Sequence, residues 1–332
     1  MLNETLLVVV DHIGDQDAGY TLTAPSAELL TLARTLTTGE LVAVALNPAP
    51  DVAALARYGV SVVYTPRLAD YSPRVPAVVA DAVRACIRHA GVGTSEGGGE
   101  PAAVMCVSNY RGKEVAARLA VGQASGAVVD ATAVQVVDGE LVATKSVLSG
   151  TWTTSYRVAQ GTPIIAVRPS SISAQPAAEP TDPVVVEVEV EFSAEAAAVQ
   201  VESSVHQGTG GRVALTEART VVCGGRGTDG DFTLVEQLAD ALDGAVGATR
   251  VCADEGWVER SLQIGQTGVS VAPRLYIGLG VSGAIHHTSG MQSAGTIVAV
   301  VDDEDAPIVE IADLTIIGDL REVVPAVLAE LK

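Results

Sequence analysis

Residues 275–287 read LYIGLGVSGAIHH, an apolar run that breaks into glycines and ends on two histidines. Its first part, with Arg274 before it, reads as a buried strand (274–277), and a glycine turn comes directly after. Gly278, Gly280 and Gly283 fit G-x-G-x-x-G, and Asp302 and Asp303 stand about twenty residues beyond. That is the pattern of a dinucleotide-binding turn with an acid for the ribose. Two features count against a full unit of that kind. Only about a dozen residues separate Gly283 from the next strand at Thr296, and Ser289-Gly290 interrupts them, which is cramped for a crossover helix. An NAD-dependent oxidoreductase using the 278–283 turn is therefore the second reading. His286 and His287 are neighbours that a helix would point about 100° apart, so they do not share a metal, and no metal site is expected. No G-x-S-x-G nucleophile signature occurs, and no catalytic residue is expected.

Working back from this stretch, three further turns carry glycine: Cys223-Gly-Gly-Arg226-Gly227, Gly247-Ala-Thr249-Arg250 and Gly265-Gln266-Thr267-Gly268. Turns at the carboxyl ends of parallel strands are where α/β sheets hold nucleotides, because backbone N–H groups can approach a pyrophosphate there. Arg226 and Arg250 stand in these turns within a strongly acidic chain. The cluster points to an anionic ligand on the C-terminal part of the molecule.

Around the turns, short apolar runs alternate with Ala/Leu-rich amphipathic stretches. Strands are expected at residues 220–223, 274–277 and 296–301, with helices at 233–242 and 322–331. Toward the N-terminus, strands are expected at 6–10, 41–46, 60–64 and 103–107. Helices are expected at 26–34, capped by Ser26, and at 51–58, 76–90 and 111–123. Such alternation implies parallel strands joined by right-handed crossovers. Between 128 and 168 the pattern changes to short strands at 128–137, 140–146, 152–158 and 164–168, with an Asp138-Gly139 hairpin turn. Residues 184–192, VVVEVEVEF, alternate with period two and predict a strand with one acidic, wet face. Residues 91–101 and 170–183 read as loops, and 206–212 as a hinge. The fold class is α/β in two domains, 1–205 and 206–332, each a mostly parallel sheet flanked by helices.

Composition narrows the partners. Among 332 residues, 20 Lys+Arg face 40 Asp+Glu for a net charge of −20, and the only lysines are Lys113, Lys145 and Lys332. Such a field repels phosphate backbones and anionic lipid, so no nucleic acid is expected as partner. Hydrophobic residues make up 48% but aromatics only 3%, so the core is packed from Val, Ala, Leu and Ile. The four cysteines form no paired motif, which favours reduced thiols. No apolar run reaches the roughly 18 residues that span a bilayer, and Glu4 and Asp11 flank the first one. The expectation is a cytoplasmic protein without direct membrane insertion.

Taken together, the motifs resemble one family. The 275–287 run with Ser289-Gly-Met291, the three glycine turns, Gln263-Ile-Gly-Gln-Thr267-Gly and Ile317-Gly-Asp319-Leu320 resemble the electron transfer flavoprotein alpha subunit. The likeness is dense over roughly residues 215–332 and thinner before, in Arg111-Gly-Lys-Glu-Val-Ala-Ala-Arg-Leu and Gly161-Thr-Pro-Ile-Ile-Ala-Val-Arg168. It implies a Rossmann-like FAD-binding C-terminal domain and a heterodimer with the electron transfer flavoprotein beta subunit, which carries AMP. It implies electron transport from acyl-CoA dehydrogenases of fatty acid beta-oxidation to a quinone oxidoreductase, by a carrier that is not itself an enzyme. The N-terminal domain would contact the partner subunit and hold no nucleotide of its own.

The same resemblance assigns the flavin contacts to Arg226, Thr249, Arg250, Ile264, Gly265, Gln266 and Thr267. It adds Ser282, Gly283, Ala284, Ile285, His286 and His287, then Val301, Asp319 and Leu320. Arg250 and a donor from His287 would suit negative charge at N1 and O2 of the ring, a Thr267 hydroxyl would meet N5, and the 282–284 turn would meet the pyrophosphate. Three positions depart from the family pattern. His286 stands where Gln is usual, Val301 where Asn is usual, and Asp302 where Lys is usual. Val301 would forgo a ribose hydrogen bond and Asp302 would add a repulsive charge, which predicts FAD binding weakened about tenfold or more. A divergent alpha-subunit paralogue with weakened FAD binding is the third reading.

Overall fold

A computed structural model describes residues 1–15, 19–92, 100–148, 152–204 and 212–331. Most of the 91–101 loop and of the 206–212 hinge lies outside the described residues. The chain divides into two compact units, Met1–Val205 and His206–Lys332.

The N-terminal unit is built on a seven-stranded sheet. Its order is Val184–Val188, Val62–Pro66, Leu41–Ala45, Leu6–Val10, Ala103–Val107, Ile164–Val167, Ala127–Ala131. Every pairing in it is parallel. The four strands from Leu41–Ala45 to Ile164–Val167 are buried at every position, as expected of a sheet covered on both faces. Helix Ala24–Leu36 packs one face and helices Pro76–Val92 and Tyr110–Gly122 the other.

Three local readings need correction. The first helix is capped by Thr23, whose Oγ1 accepts from Ser26 N at 3.3 Å. Ser26 lies within its first turn, where the hydroxyl accepts from Asp11 N at 2.8 Å. Pro25 extends the helix backward because a first-turn residue needs no N–H donor. Helix Pro76–Val92 runs on through Gly91. The single strand expected over 128–137 is two, because Thr132 separates Ala127–Ala131 of the large sheet from Ala133–Val137 of a three-stranded antiparallel sheet. That small sheet turns at Asp138 and Gly139, both left-handed (φ 52° and 81°), which is what a two-residue hairpin requires. Strand Val184–Val188 closes the large sheet at its edge, with Glu187 and Glu189 outward and both paired to Arg67.

The C-terminal unit holds five parallel strands in the order Ala245–Ala248, Thr220–Gly224, Leu275–Leu279, Thr296–Val301, Leu314–Ile317. Helices Thr233–Ala241 and Leu320–Glu330 cover one face through Val235, Leu238, Leu320 and Val324. The other face is closed by Leu215, Ile264, Met291 and Ile308, which come from connecting segments. Two of the strands go beyond the sequence expectation. Gly247 makes Ala245–Ala248 look like part of a turn, but that glycine makes room for Ile264, whose Cδ1 would stand 2.4 Å from an added Cβ. Leu314–Ile317 is an edge strand, half-exposed, and too short to announce itself. The α/β class with parallel sheets is as expected.

Candidate functional site

Because the five C-terminal strands run one way, their carboxyl ends share one edge. The chain enters this sheet at Thr220–Gly224, steps to Ala245–Ala248 on one side, then crosses to Leu275–Leu279 on the other. That reversal opens a crevice beyond Gly224 and Leu279, the usual ligand position in open α/β sheets. Arg226 leaves the first strand there, and Thr249 and Arg250 the second. Residues 280–287 leave the third, and Asp319 and Leu320 the last. A separate loop is drawn onto the same edge, where Ile264 N donates to the Ala248 carbonyl at 2.9 Å and Gln266 N to the His286 carbonyl at 2.7 Å. Segments distant in sequence therefore line one edge.

The glycines hold these turns against one another. A Cβ on Gly280 (φ 63°) would lie 2.6 Å from Gly227 Cα, and one on Gly283 (φ 80°) 2.4 Å from Ile308 N. The G-x-G-x-x-G spacing thus answers to loop-on-loop packing. The segment after it forms only the four-residue helix Ile285–Thr288, so the long helix of a conventional dinucleotide unit is replaced by a single turn. Among the described residues, the amides of Ser282, Gly283, Ala284, Ile285 and His286 find no acceptor. Five consecutive free donors on a largely exposed segment are suited to an anion.

The polar side chains differ in how far they can serve a ligand. Thr267 is exposed, and its hydroxyl oxygen accepts from Gln263 Nε2 at 2.9 Å, so the hydroxyl proton remains available to another acceptor. Gln263 itself is 1% exposed, and its Oε1 has no partner among the described residues. It stands in the quoted motif but not among the candidate contacts, since nothing in spacing alone distinguishes a residue that holds another. Arg226 is exposed, while Arg250 pairs with Asp254 at 3.1 Å and keeps 61% of its side chain in solvent. Thr249 caps the helix Arg250–Asp254 by position, and its hydroxyl lies 3.3 Å from Cys252 Sγ. His286 Nδ1 lies 2.7 Å from Gln266 Oε1, so these two exposed residues form a pair.

His287 does not present a donor in the way expected. Its Nδ1 lies 3.1 Å from the Ile264 carbonyl and therefore carries the proton, while Nε2 accepts from the Tyr276 hydroxyl at 2.7 Å. Burial lowers its pKa to about 4, so the ring is neutral and both nitrogens are occupied. Val301 is likewise turned away. Its side chain is 4% exposed and packs with Val281, Ala306 and Ile308. Asp302, in contrast, is exposed beside it at the strand end.

Comparison with known proteins now bears on this geometry. A family model described as electron transfer flavoprotein domain matches residues 10–193, and one described as electron transfer flavoprotein FAD-binding domain matches residues 214–292. An electron transfer flavoprotein subunit alpha of Mycobacterium tuberculosis is 41% identical over 98% of this chain and 98% of its own length. That of Mycobacterium leprae is 39% identical over 96% and 95%. A mitochondrial one from Dictyostelium discoideum is 50% identical over 36% of this chain and 35% of its own. The chain belongs to the electron transfer flavoprotein alpha subunit family. Its C-terminal unit carries the family's FAD-binding domain, and FAD is the cofactor. The residues present fit that group: five free amides for a diphosphate, the exposed guanidinium groups of Arg226 and Arg250, and an uncommitted hydroxyl proton on Thr267. Among the described residues no helix is long and apolar enough to cross a membrane, and no cluster of side chains could hold a metal ion.

Proposed function

We propose that this chain is the alpha subunit of a two-chain electron carrier. In this reading it pairs with a beta subunit that holds AMP, and it moves electrons in the cytoplasm from acyl-CoA dehydrogenases to a quinone oxidoreductase. The observation that carries the reading is the row of free amides at 282–286 facing the loop that holds Thr267, both on the carboxyl edge of the C-terminal sheet. FAD supplies the redox chemistry when bound. The chain's own residues bind and tune it. The 282–286 amides and Arg226 hold the diphosphate, and Arg250 offers positive charge to the electron-rich end of the ring. Thr267, steadied by Gln263, donates its hydroxyl proton to a ring nitrogen. Gly265, Ile264, Ala284 and Ile285 shape the wall, the paired side chains of Gln266 and His286 meet the ribityl hydroxyls, and Asp319 and Leu320 close the far end. Thr249 supports the Arg250 turn. The N-terminal unit, 1–205, supplies the contact with the partner subunit, and 206–332 the cofactor site.

The reading leaves the chain without a substrate of its own. Its net charge of −20 would steer it toward basic patches on redox partners, so their encounter slows as salt is added. The test is the absorption spectrum of the chain co-purified with its beta subunit. Flavin bands at one FAD per pair, bleached by a dehydrogenase with its acyl-CoA substrate, support the reading. A colourless pair that binds nicotinamide and turns over substrate overturns it.

A further inference from the structure

The 282–286 amide row ends on a side chain that can change charge. His286 is exposed, and its Nδ1 lies 2.7 Å from Gln266 Oε1. An amide oxygen only accepts, so Nδ1 carries the proton and the neutral ring keeps its lone pair on Nε2. That Nε2 has no partner among the described residues. The backbone beneath the ring is held firmly. Gln266 N donates to the His286 carbonyl at 2.7 Å, and Ser289 Oγ donates to it at 3.1 Å. A Cβ on Gly265 (φ 144°) would meet the same carbonyl oxygen at 2.6 Å, so glycine is what lets the two loops close.

The groups packed around His286 supply no counter-charge. The loop 263–268 carries no ionisable side chain, and within 282–290 the only other one is His287. Burial lowers the His287 pKa to about 4, so that ring stays neutral above pH 6. Among the described residues no carboxylate comes within ion-pair distance of His286. The charged groups on the neighbouring turns of this edge are Arg226, Arg250 with its partner Asp254, and Asp319. A proton on Nε2 therefore lacks a resident anion, and an electron arriving on bound flavin provides one. Histidine is the side chain that ordinarily changes charge between pH 5 and 8. Glutamine, usual at this position in the family, has no proton to exchange.

We propose that His286 couples the flavin's electron to a proton: as the flavin is reduced, Nε2 takes up one proton from solvent. The electron comes from the reducing partner, no bond to the ring is made or broken, and the net charge of the site is unchanged. His286 thereby makes the cofactor's potential sensitive to pH. The inference rests on the proposed placement of FAD against residues 282–287.

The test is spectroelectrochemical titration of the FAD-loaded two-chain complex from pH 8.5 to 6, wild type against His286→Gln. The gap between the two potentials should widen as pH falls. Toward pH 6 the wild type should favour reduced flavin about three- to fivefold more than the variant, about 30–40 mV per electron at about 59 mV per tenfold. Linkage is reciprocal, so reduction must strengthen proton binding at His286 by the same factor. Histidine-ring NMR of the wild-type complex, with the His286 signal identified by its loss in the variant, should show it titrating about 0.5–0.7 pH unit higher when the flavin is reduced. Parallel potential–pH curves, or a His286 titration unmoved by reduction, overturn the proposal and leave the FAD site standing. A complex that binds no flavin overturns both the proposal and the electron-carrier reading.

Discussion

The phenol oxygen of Tyr276 lies 2.7 Å from Nε2 of His287, and both side chains are buried beneath the turn that carries the free amides. The pair fixes the ring as a neutral acceptor, and pH should read this out. The His287 pKa falls from 6.5 in the unfolded chain to about 4 in the fold. Its contribution is therefore present above pH 6.5 and is lost as pH falls toward 4, by up to about 3 kcal/mol in all. Urea unfolding followed from pH 7.5 to 4.5 should show that decline. In His287→Gln the slope over this window should flatten, and an unchanged slope would refute the assignment. Tyr276→Phe should cost about 1 kcal/mol at neutral pH.

Thr267 is expected to act through its hydroxyl and Gln263 through Thr267. Thr267→Val should weaken FAD binding about three- to tenfold and shift the flavin midpoint potential, while Thr267→Ser keeps both near the wild type. Gln263→Leu should shift the potential with little loss of stability, because it also removes the unpartnered buried Oε1. Spectroelectrochemical titration checks the set. A potential unmoved by Gln263→Leu would mean that Gln263 does not orient the hydroxyl.

How much of the fold is legible in sequence depends on how local its causes are. A parallel strand such as Leu6–Val10 is short, wholly apolar and bounded by Thr5 and Asp11, so its ends can be read directly. Strand Ala245–Ala248 escapes such a reading because its glycine serves a side chain arriving from Ile264, a contact no local pattern records. The same limit applies at the site. The turns bearing Arg226, Arg250 and Thr267 are legible as motifs. That Val301 faces the core and that His287 spends both nitrogens internally depend on Ile308, Tyr276 and Ile264 arriving from elsewhere.

The two departures at the strand end should separate experimentally. Asp302→Lys changes an exposed residue and should tighten FAD binding several-fold, measured by flavin titration of the apo-protein. Val301→Asn places an amide in an apolar cluster and should destabilise the fold by about 1–3 kcal/mol without tightening FAD. Equal gains in affinity from both would show that the Val301 side chain does reach the ligand.

All four cysteines are buried and unpaired. Burial pushes the thiols of Cys86, Cys106 and Cys223 up to about 12, and that of Cys252 upward as well. Thiolate is the reactive form, so the native chain should resist a thiol-reactive dye at pH 8 and react at all four positions once unfolded. Fast labelling of the folded protein would contradict this.

The glutamates of strand Val184–Val188 and just beyond have a use apart from any ligand. The strand ends a seven-stranded sheet, where unpaired backbone groups could template another chain. Glu187 and Glu189 stand on its outward side, held by Arg67. A second copy approaching side by side would bring its own carboxylates against these, which disfavours strand addition at this edge of the sheet.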